Sequence, residues 1–141
     1  MSTWKTVLVG VDGSRGSRKA LAWAAAEAAE HGADLVVLNV WERGLPPAVG
    51  SVPTEDDADP GERAAEELIQ IIKEELGEDP PVLVQPRVKQ GNPAKVLIEE
   101  SANADLLVVG TRGHGGFRGL VLGSVSQHVA AYAKCSVTVV R

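Results

Sequence analysis

Glycines at positions 110, 113 and 123, the last followed directly by Ser124, set out the spacing G-x2-G-x9-G-S within the run from Gly110 to Ser124. Glycine lets main-chain amides approach an anion closely, and a serine at a helix start adds a hydroxyl donor beside amides that lack partners of their own. The same run holds Arg112, Arg118 and His114, which are cations or potential cations able to neutralise an anionic ligand. Phosphate is the ligand this chemistry suits. No G-x4-G-K-[ST] occurs, and no G-x-G-x-x-G follows the first apolar run, so the Walker loop and the dinucleotide fingerprint are both excluded. A surface loop whose glycines only permit turns is the other reading of this stretch. An apolar run before it and a helix-forming run after it favour the phosphate site, because that is the context an anion loop requires.

The elements that must position this loop follow from periodicity. Thr6 to Val11 is a short β-branched run ending in Asp12-Gly13-Ser14, which predicts a buried strand and a turn. A first helix is expected from Ser14 or Ser17 to His31, stopped by Gly32, and a second strand from Leu35 to Trp41. The segment 44–59, with Pro46, Pro47, Gly50, Pro53 and an acidic cluster, has no period and is expected to be a mobile loop. Asp59-Pro60 is a cap and first-turn proline for a helix reaching Leu76, with Ala64, Leu68, Ile71, Ile72 and Leu76 on one face. Val82 to Lys89 is expected as a third strand, at a sheet edge because Pro86 lacks a donor. Asn92-Pro93 starts a helix running toward Ala102, Leu106 to Val109 is a fourth strand, Ser124 to Ala133 a fourth helix and Ser136 to Arg141 a last strand. Strand and helix thus alternate to the end of the chain. That alternation predicts an α/β fold with a five-stranded, mostly parallel sheet flanked by helices on both faces. In such sheets the ligand crevice lies beyond the carboxyl ends of the strands, where the strand order reverses. The ends of the first and fourth strands are therefore the expected place for the site.

Composition bounds what that site can serve. The 141 residues fit one domain, 1–141, able to bury a core without metals or disulfides. The net charge of −5 argues against a general nucleic-acid binder, since affinity for a phosphate backbone needs clustered Lys and Arg. No apolar run approaches the ~20 residues of a membrane span, and Met1 to Thr6 lacks the layout of a secretion signal. The expectation is a cytoplasmic protein without a membrane partner. Cys135 is the single cysteine, expected as a small buried hydrophobe. His114 and His128 have no partner acid or nucleophile at an identifiable spacing and are expected as exposed polar residues. Trp4, Trp23 and Trp41 are expected to pack, with Trp41 also placed to flank a pocket at the second strand end.

Three stretches together carry a family resemblance: Val9-Gly10-Val11-Asp12-Gly13-Ser14, Asp105-Leu106-Leu107-Val108-Val109-Gly110, and Gly123-Ser124-Val125-Ser126. In this order the chain resembles the universal stress proteins over essentially its whole length, and its glycine-serine spacing is similar to that of the family's ATP-binding branch. The resemblance implies an adenine-nucleotide alpha hydrolase-like sheet in the order 3-2-1-4-5, with ATP and Mg2+ as ligands. It implies that Asp12, with Gly13 and Ser14, lies near the adenosine and metal end, and that the Val40 backbone reads the adenine edge. Val109 and Gly110 would border the ribose and phosphates, with Arg112 in the same loop and Gly113 permitting close approach. Gly123, Ser124 and Val125 would bind phosphates, with Ser126 as a further donor. Asp12 alone has a second reading, a turn residue bonding its own backbone, common for Asp before Gly. A carboxylate beside phosphate oxygens is a usual Mg2+ arrangement.

The resemblance further implies a homodimer through the C-terminal strand, with Arg141 at that interface. Relatives often carry proline after the cysteine that opens this strand; here Ser136 follows Cys135. The function implied is a nucleotide-holding regulatory or stress-response module, not an enzyme, with at most slow ATP hydrolysis. A nucleotide-free dimeric scaffold is the alternative. A nucleotidyl transferase or ATP pyrophosphatase is disfavoured, because neither H-x-G-H nor S-G-G-x-D-S occurs.

Overall fold

The computed structural model describes residues 4–42, 59–111 and 123–141. The expected mobile loop, except Asp59, and the loop residues Arg112, Gly113, His114 and Arg118 lie outside the described residues. In chain order the elements are β1 (Thr6–Gly10), α1 (Arg15–His31), β2 (Asp34–Trp41), α2 (Pro60–Leu76), β3 (Val84–Gln90), α3 (Pro93–Ser101), β4 (Leu106–Gly110), α4 (Ser124–Tyr132) and β5 (Ser136–Val140). The five strands form one sheet in the order β3-β2-β1-β4-β5, and all four pairings are parallel. The fold class and the strand order are those expected.

Alternation along the strands divides the core in two. Val7, Val9, Leu35, Val37, Leu106 and Val108 join α1 and α2 residues on one face. Leu8, Val36, Leu38, Leu107 and Val109 join α3 and α4 residues on the other. Strands buried on both faces need continuous apolar runs, which is what β1, β2 and β4 carry.

Pro86 shows why β3 tolerates an edge. Leu35 N–H donates to Leu83 O and Gly91 N–H donates to Trp41 O, so odd-numbered β3 residues turn their peptide groups toward β2. Pro86 falls on the even set, facing away from the sheet, where its missing donor removes no ladder bond. The strand starts at Val84 rather than Val82 because its register with β2 opens at Leu35 opposite Val84.

The helix ends follow their capping chemistry with one exception. Ser14 caps α1 by accepting from Ser17 N–H, Gly32 closes it in the left-handed conformation at φ 65°, and Asn92 caps α3 by accepting from Lys95 N–H. Asp59, expected as the α2 cap, makes no side-chain cap bond. The proline is not the cause, since Pro93 likewise follows the working cap Asn92; the main-chain bond from Arg63 N–H to Asp59 O opens α2. On α2, Leu68 and Ile72 are buried, with Ile71 and Leu76 packed against the same cluster.

Trp4 packs against the core as expected, whereas one aromatic residue, Trp23, and the cysteine depart from simple packing. Trp4 lies against the His31 ring with centroids 4.4 Å apart, whereas Trp23 is exposed on α1. Cys135 is half-buried rather than buried, since it precedes an edge strand and is covered from one side only; its thiol donates to Ser136 O at 3.3 Å. Desolvation pushes that thiol above its usual range, which disfavours the reactive thiolate.

Asp105 joins the starts of β4 and β1: its Oδ2 accepts from Lys5 N–H at 2.8 Å and from Thr6 N–H at 3.0 Å. These main-chain bonds, that from Lys5 first, hold its carboxyl below the usual carboxylate range. A depressed folded pKa contributes stability above the unfolded value of about 3.9, and that contribution is lost as pH falls through the folded value. Asp105→Asn is therefore expected to lower the unfolding free energy by on the order of 1 kcal/mol at pH 7, discounted for solvent, with the gap from wild type closing below about pH 4. Urea titrations of both proteins at several pH values check this, and a gap that stays constant down to pH 2 contradicts it.

Candidate functional site

The carboxyl ends of β1, β2 and β4 meet at one crevice. The register of β1 with β2 ends at Gly10 opposite Leu38, and that with β4 at Val9 opposite Val108. Beyond Gly10 the chain turns through Asp12, Gly13 and Ser14 into α1, with Gly13 at φ 86°. This left-handed conformation suits glycine and sets the turn tightly. Asp12 Oδ1 accepts from Ser14 N–H at 2.9 Å, the self-bonded turn that one reading of Asp12 anticipates, and the residue is exposed at the crevice rim.

Val40 is placed by the hydrogen-bond parity of β2. Asp34 N–H donates to Lys5 O and Val11 N–H donates to Leu38 O, so even-numbered β2 residues turn their peptide groups toward β1. Val40 is the next even residue past the last β1 pair, so its N–H and C=O face the space above the strand end. Asn39 braces that position by donating from Nδ2 to Val11 O at 2.8 Å.

The two ends of the glycine-rich loop are drawn together: Gly123 N–H donates to Thr111 O at 2.6 Å. Gly123 then caps α4 without a side-chain bond, and the first intrahelical bond runs from Gln127 N–H to Gly123 O. The amides of Ser124, Val125 and Ser126 thus form the open first turn of a helix, the positive end of its dipole. Ser124 is exposed. Ser126 is only 4% exposed, and its Oγ donates to Gly110 O, which ties α4 to the end of β4. Val109 is buried in the core under α3 and α4, so only its backbone borders the crevice, and Val125 packs its side chain toward the same cluster.

Gly110 fits for a steric reason. A Cβ there would stand 2.7 Å from Gly16 O and 2.8 Å from Gly16 C. The first turn of α1 therefore rests directly on the end of β4. Of the expected site residues, Asp12, Gly13, Ser14, Val40, Val109, Gly110, Gly123, Ser124, Val125 and Ser126 converge on this end of the sheet, while Arg112 and Gly113 lie outside the described residues. A groove of about 580 Å3 opens between α3 and α4, taking in Ser124 and Val125 together with Asn92, Lys95 and His128. Trp41 does not flank this groove among its described lining; its ring lies near Gly61 at the start of α2. His128 is exposed, with Nδ1 2.9 Å from Ser124 O.

Ser17, Gly16 and Asn39 are the positions that motif reading passes over. Only Ser17 leaves a signal, since it stands three residues after the cap Ser14, where a capping box places a side chain that reaches back.

In chemical terms this is an anion-ready crevice of a parallel α/β sheet: a helix start with open amides, a carboxylate-bearing turn and an outward-facing strand backbone. Among the described residues no group of three His, Cys, Asp or Glu stands together, so a divalent ion there would need ligand oxygens from a bound molecule. The chain belongs to the universal stress protein family, whose model matches residues 3–141. It is 43% identical over 137 residues to a universal stress protein of Mycolicibacterium smegmatis, covering 96% of this chain and 45% of that protein. It is 36% identical to a universal stress protein of Thermus aquaticus, covering 98% of this chain and 99% of that one. The chain thus spans less than half of the mycobacterial relatives it matches, and nearly all of the Thermus one. A solved universal stress protein in complex with cAMP superposes with a TM-score of 0.68 at 28% identity, covering 99% of both chains.

Gly110→Ala is expected to destabilise the protein by about 1–3 kcal/mol, because the new methyl meets main-chain atoms that no rotamer can clear. Thermal unfolding of the variant checks this; an unchanged midpoint would mean that α1 shifts freely on β4.

Proposed function

We propose that the chain is an ATP-binding universal stress protein, a nucleotide-holding regulatory module with at most slow hydrolysis. The observation that carries this reading is the convergence of the α4 first turn, the Gly110–Thr111 strand end and the Asp12–Ser14 turn on one crevice. Open amides of Ser124, Val125 and Ser126 suit phosphate oxygens. One outward N–H and one outward C=O from Val40 match the acceptor and donor that adenine presents side by side on its pairing edge. Arg112 and Gly113 complete the loop in this reading. Asp12 would hold Mg2+ together with phosphate oxygens; a single exposed carboxylate fits an ion that keeps most of its water and shares a nucleotide's phosphates. The bound cAMP of the solved relative supports an adenine nucleotide as the ligand class.

Isothermal titration with ATP in the presence of Mg2+ tests the reading. Saturable heat is expected, weakened about tenfold or more in Ser124→Ala combined with Gly113→Ala, and weakened by Asp12→Asn only when Mg2+ is present. No heat and no competition at millimolar nucleotide would sink it and leave the dimeric scaffold. Mass spectrometry of molecules released from denatured, freshly purified protein identifies the natural occupant.

The same reading includes a homodimer through β5, in the cytoplasm. Support comes from its place at the sheet edge, where Val137, Val139 and Val140 are only half-buried. Thr111 N–H donates to Val140 O, so even-numbered β5 residues face β4 and Val139 turns its peptide outward. Val139→Pro removes an outward donor and no ladder bond. Sedimentation velocity is expected to show wild-type dimers and a largely monomeric variant; dimers of equal strength in both would exclude β5 as the contact.

A further inference from the structure

Three polar residues are buried among the described ones, and all are serines: Ser17 at 5% exposure, Ser126 at 4% and Ser101 at 0%. Each hydroxyl is spent on the main chain. Ser101 Oγ donates to Ile98 O and accepts from Lys134 N–H at 2.8 Å, joining the carboxyl end of α3 to the exit of α4; Ile98 and Lys134 line the groove between α3 and α4, and neither belongs to the Asp12–Ser14 turn. Ser126 ties α4 to Gly110. Ser17 does something different. Its Oγ donates to Ser14 O at 3.0 Å and accepts from Asp12 N–H at 3.2 Å.

In an ordinary capping box the side chain at the third helical position accepts from the amide of the cap residue itself. Here the Ser14 amide is already taken by Asp12 Oδ1. Ser17 therefore reaches two residues further back. Asp12 is consequently held at both ends, its side chain by the Ser14 amide and its own amide by the Ser17 hydroxyl. Ser17 itself cannot drift: its N–H donates to Ser14 Oγ, and it lies where the Gly110 backbone rests on Gly16 and Ser17 N.

We propose that Ser17 is the positioning residue of the crevice, the buried hydroxyl that fixes the Asp12–Ser14 turn and thereby the direction in which Asp12 meets its ligand. The ligand half of this statement rests on the nucleotide reading above. The mechanical half does not. Because Ser17 also lies beside Gly110, and the Gly110 carbonyl accepts from Ser126, the turn and the α4 start are registered to one another through two buried serines and the half-buried Gly110 between them. Alanine at position 17 would keep the helix, as a good helix former, while leaving the Asp12 amide without its partner.

The test compares Ser17→Ala with Ser101→Ala, a buried serine that also donates to and accepts from the main chain but makes no bond to the Asp12–Ser14 turn. Two quantities are read: amide hydrogen exchange at Asp12, Gly13 and Ser14 in the free protein, and the dissociation constant for ATP with Mg2+. Ser17→Ala is expected to speed exchange at Asp12 and to weaken ATP about three- to tenfold. Ser101→Ala is expected to lower the melting temperature while leaving both quantities at wild-type values. Wild-type exchange and affinity in Ser17→Ala overturn the proposal, as does an equal loss of affinity in Ser101→Ala. If wild type binds no ATP, the nucleotide reading fails by itself, and exchange alone decides: faster exchange confined to 12–14 supports the role of Ser17, unchanged exchange overturns it. Ser17→Cys, similar in size with a weaker acceptor, gives the same readouts with a smaller shift of the same sign should Ser17→Ala not fold.

Discussion

The contact between Gly110 and Gly16 is the constraint on which the arrangement of the crevice depends. Two main chains meet there at a distance that admits no Cβ on Gly110. Because α1 can come this close, its first turn and the Asp12–Ser14 turn before it stand at the end of β4 as well as at the end of β1. A larger residue would push α1 outward and separate the carboxylate-bearing turn from the α4 start. The glycine that a motif reading values for its approach to a ligand thus has a second role, facing inward, in the approach of helix to strand.

Around that contact the polar groups are satisfied without a buried charge. Among the described residues no buried side-chain nitrogen or oxygen lacks a hydrogen-bond partner. Short serine hydroxyls suit the task because each can donate and accept at once while losing little side-chain entropy. Charged bridges lie outside the core: Arg18 of α1 reaches Glu74 and Glu75 of α2, and Arg87 and Lys89 of β3 reach Glu100 of α3. The Arg18 pairs, being partly exposed, add little stability and serve mainly to orient neighbouring elements, whereas Glu100 is largely covered where it meets Arg87 and Lys89.

Most of the fold was legible because its signals are local and agree with one another. Apolar β-branched runs at β1, β2 and β4 need burial on two faces, and Ser14, Asn92 and Gly32 mark helix ends through bonds within a turn. Asp59 misled because a proline after a cap-type residue is a good statistical start, whereas the side-chain bond also depends on the direction from which the chain arrives. Cys135 and Trp23 misled because residue type sets a preference for burial, while position at an edge strand or an outer helix face decides it. The candidate site was legible as a set of loop residues, with Asp12, Gly123 and Ser124 marked by their neighbours in sequence. Gly16 and Asn39 were not, and Ser17 showed only its capping-box spacing, since the partners of Gly16 and Asn39 at Gly110 and Val11 are fixed by how the strands and α1 pack.

By itself the sequence determined the order of elements, the edge position of β3, the family and the glycine-serine spacing, all of which follow from periodicity, local capping and residue type. Tertiary structure decided how those parts face each other. It turned the Val40 peptide outward past the end of β1, closed the loop ends through Gly123 and Thr111, and placed Ser17 beneath Asp12. The physical reason is that hydrogen-bond direction in a strand alternates with each residue, and backbone contact between α1 and β4 requires a register that no local stretch contains. The spacing of the glycines is a local pattern; only the packing of α1 on Gly110 sets the Asp12–Ser14 turn beside the end of β4.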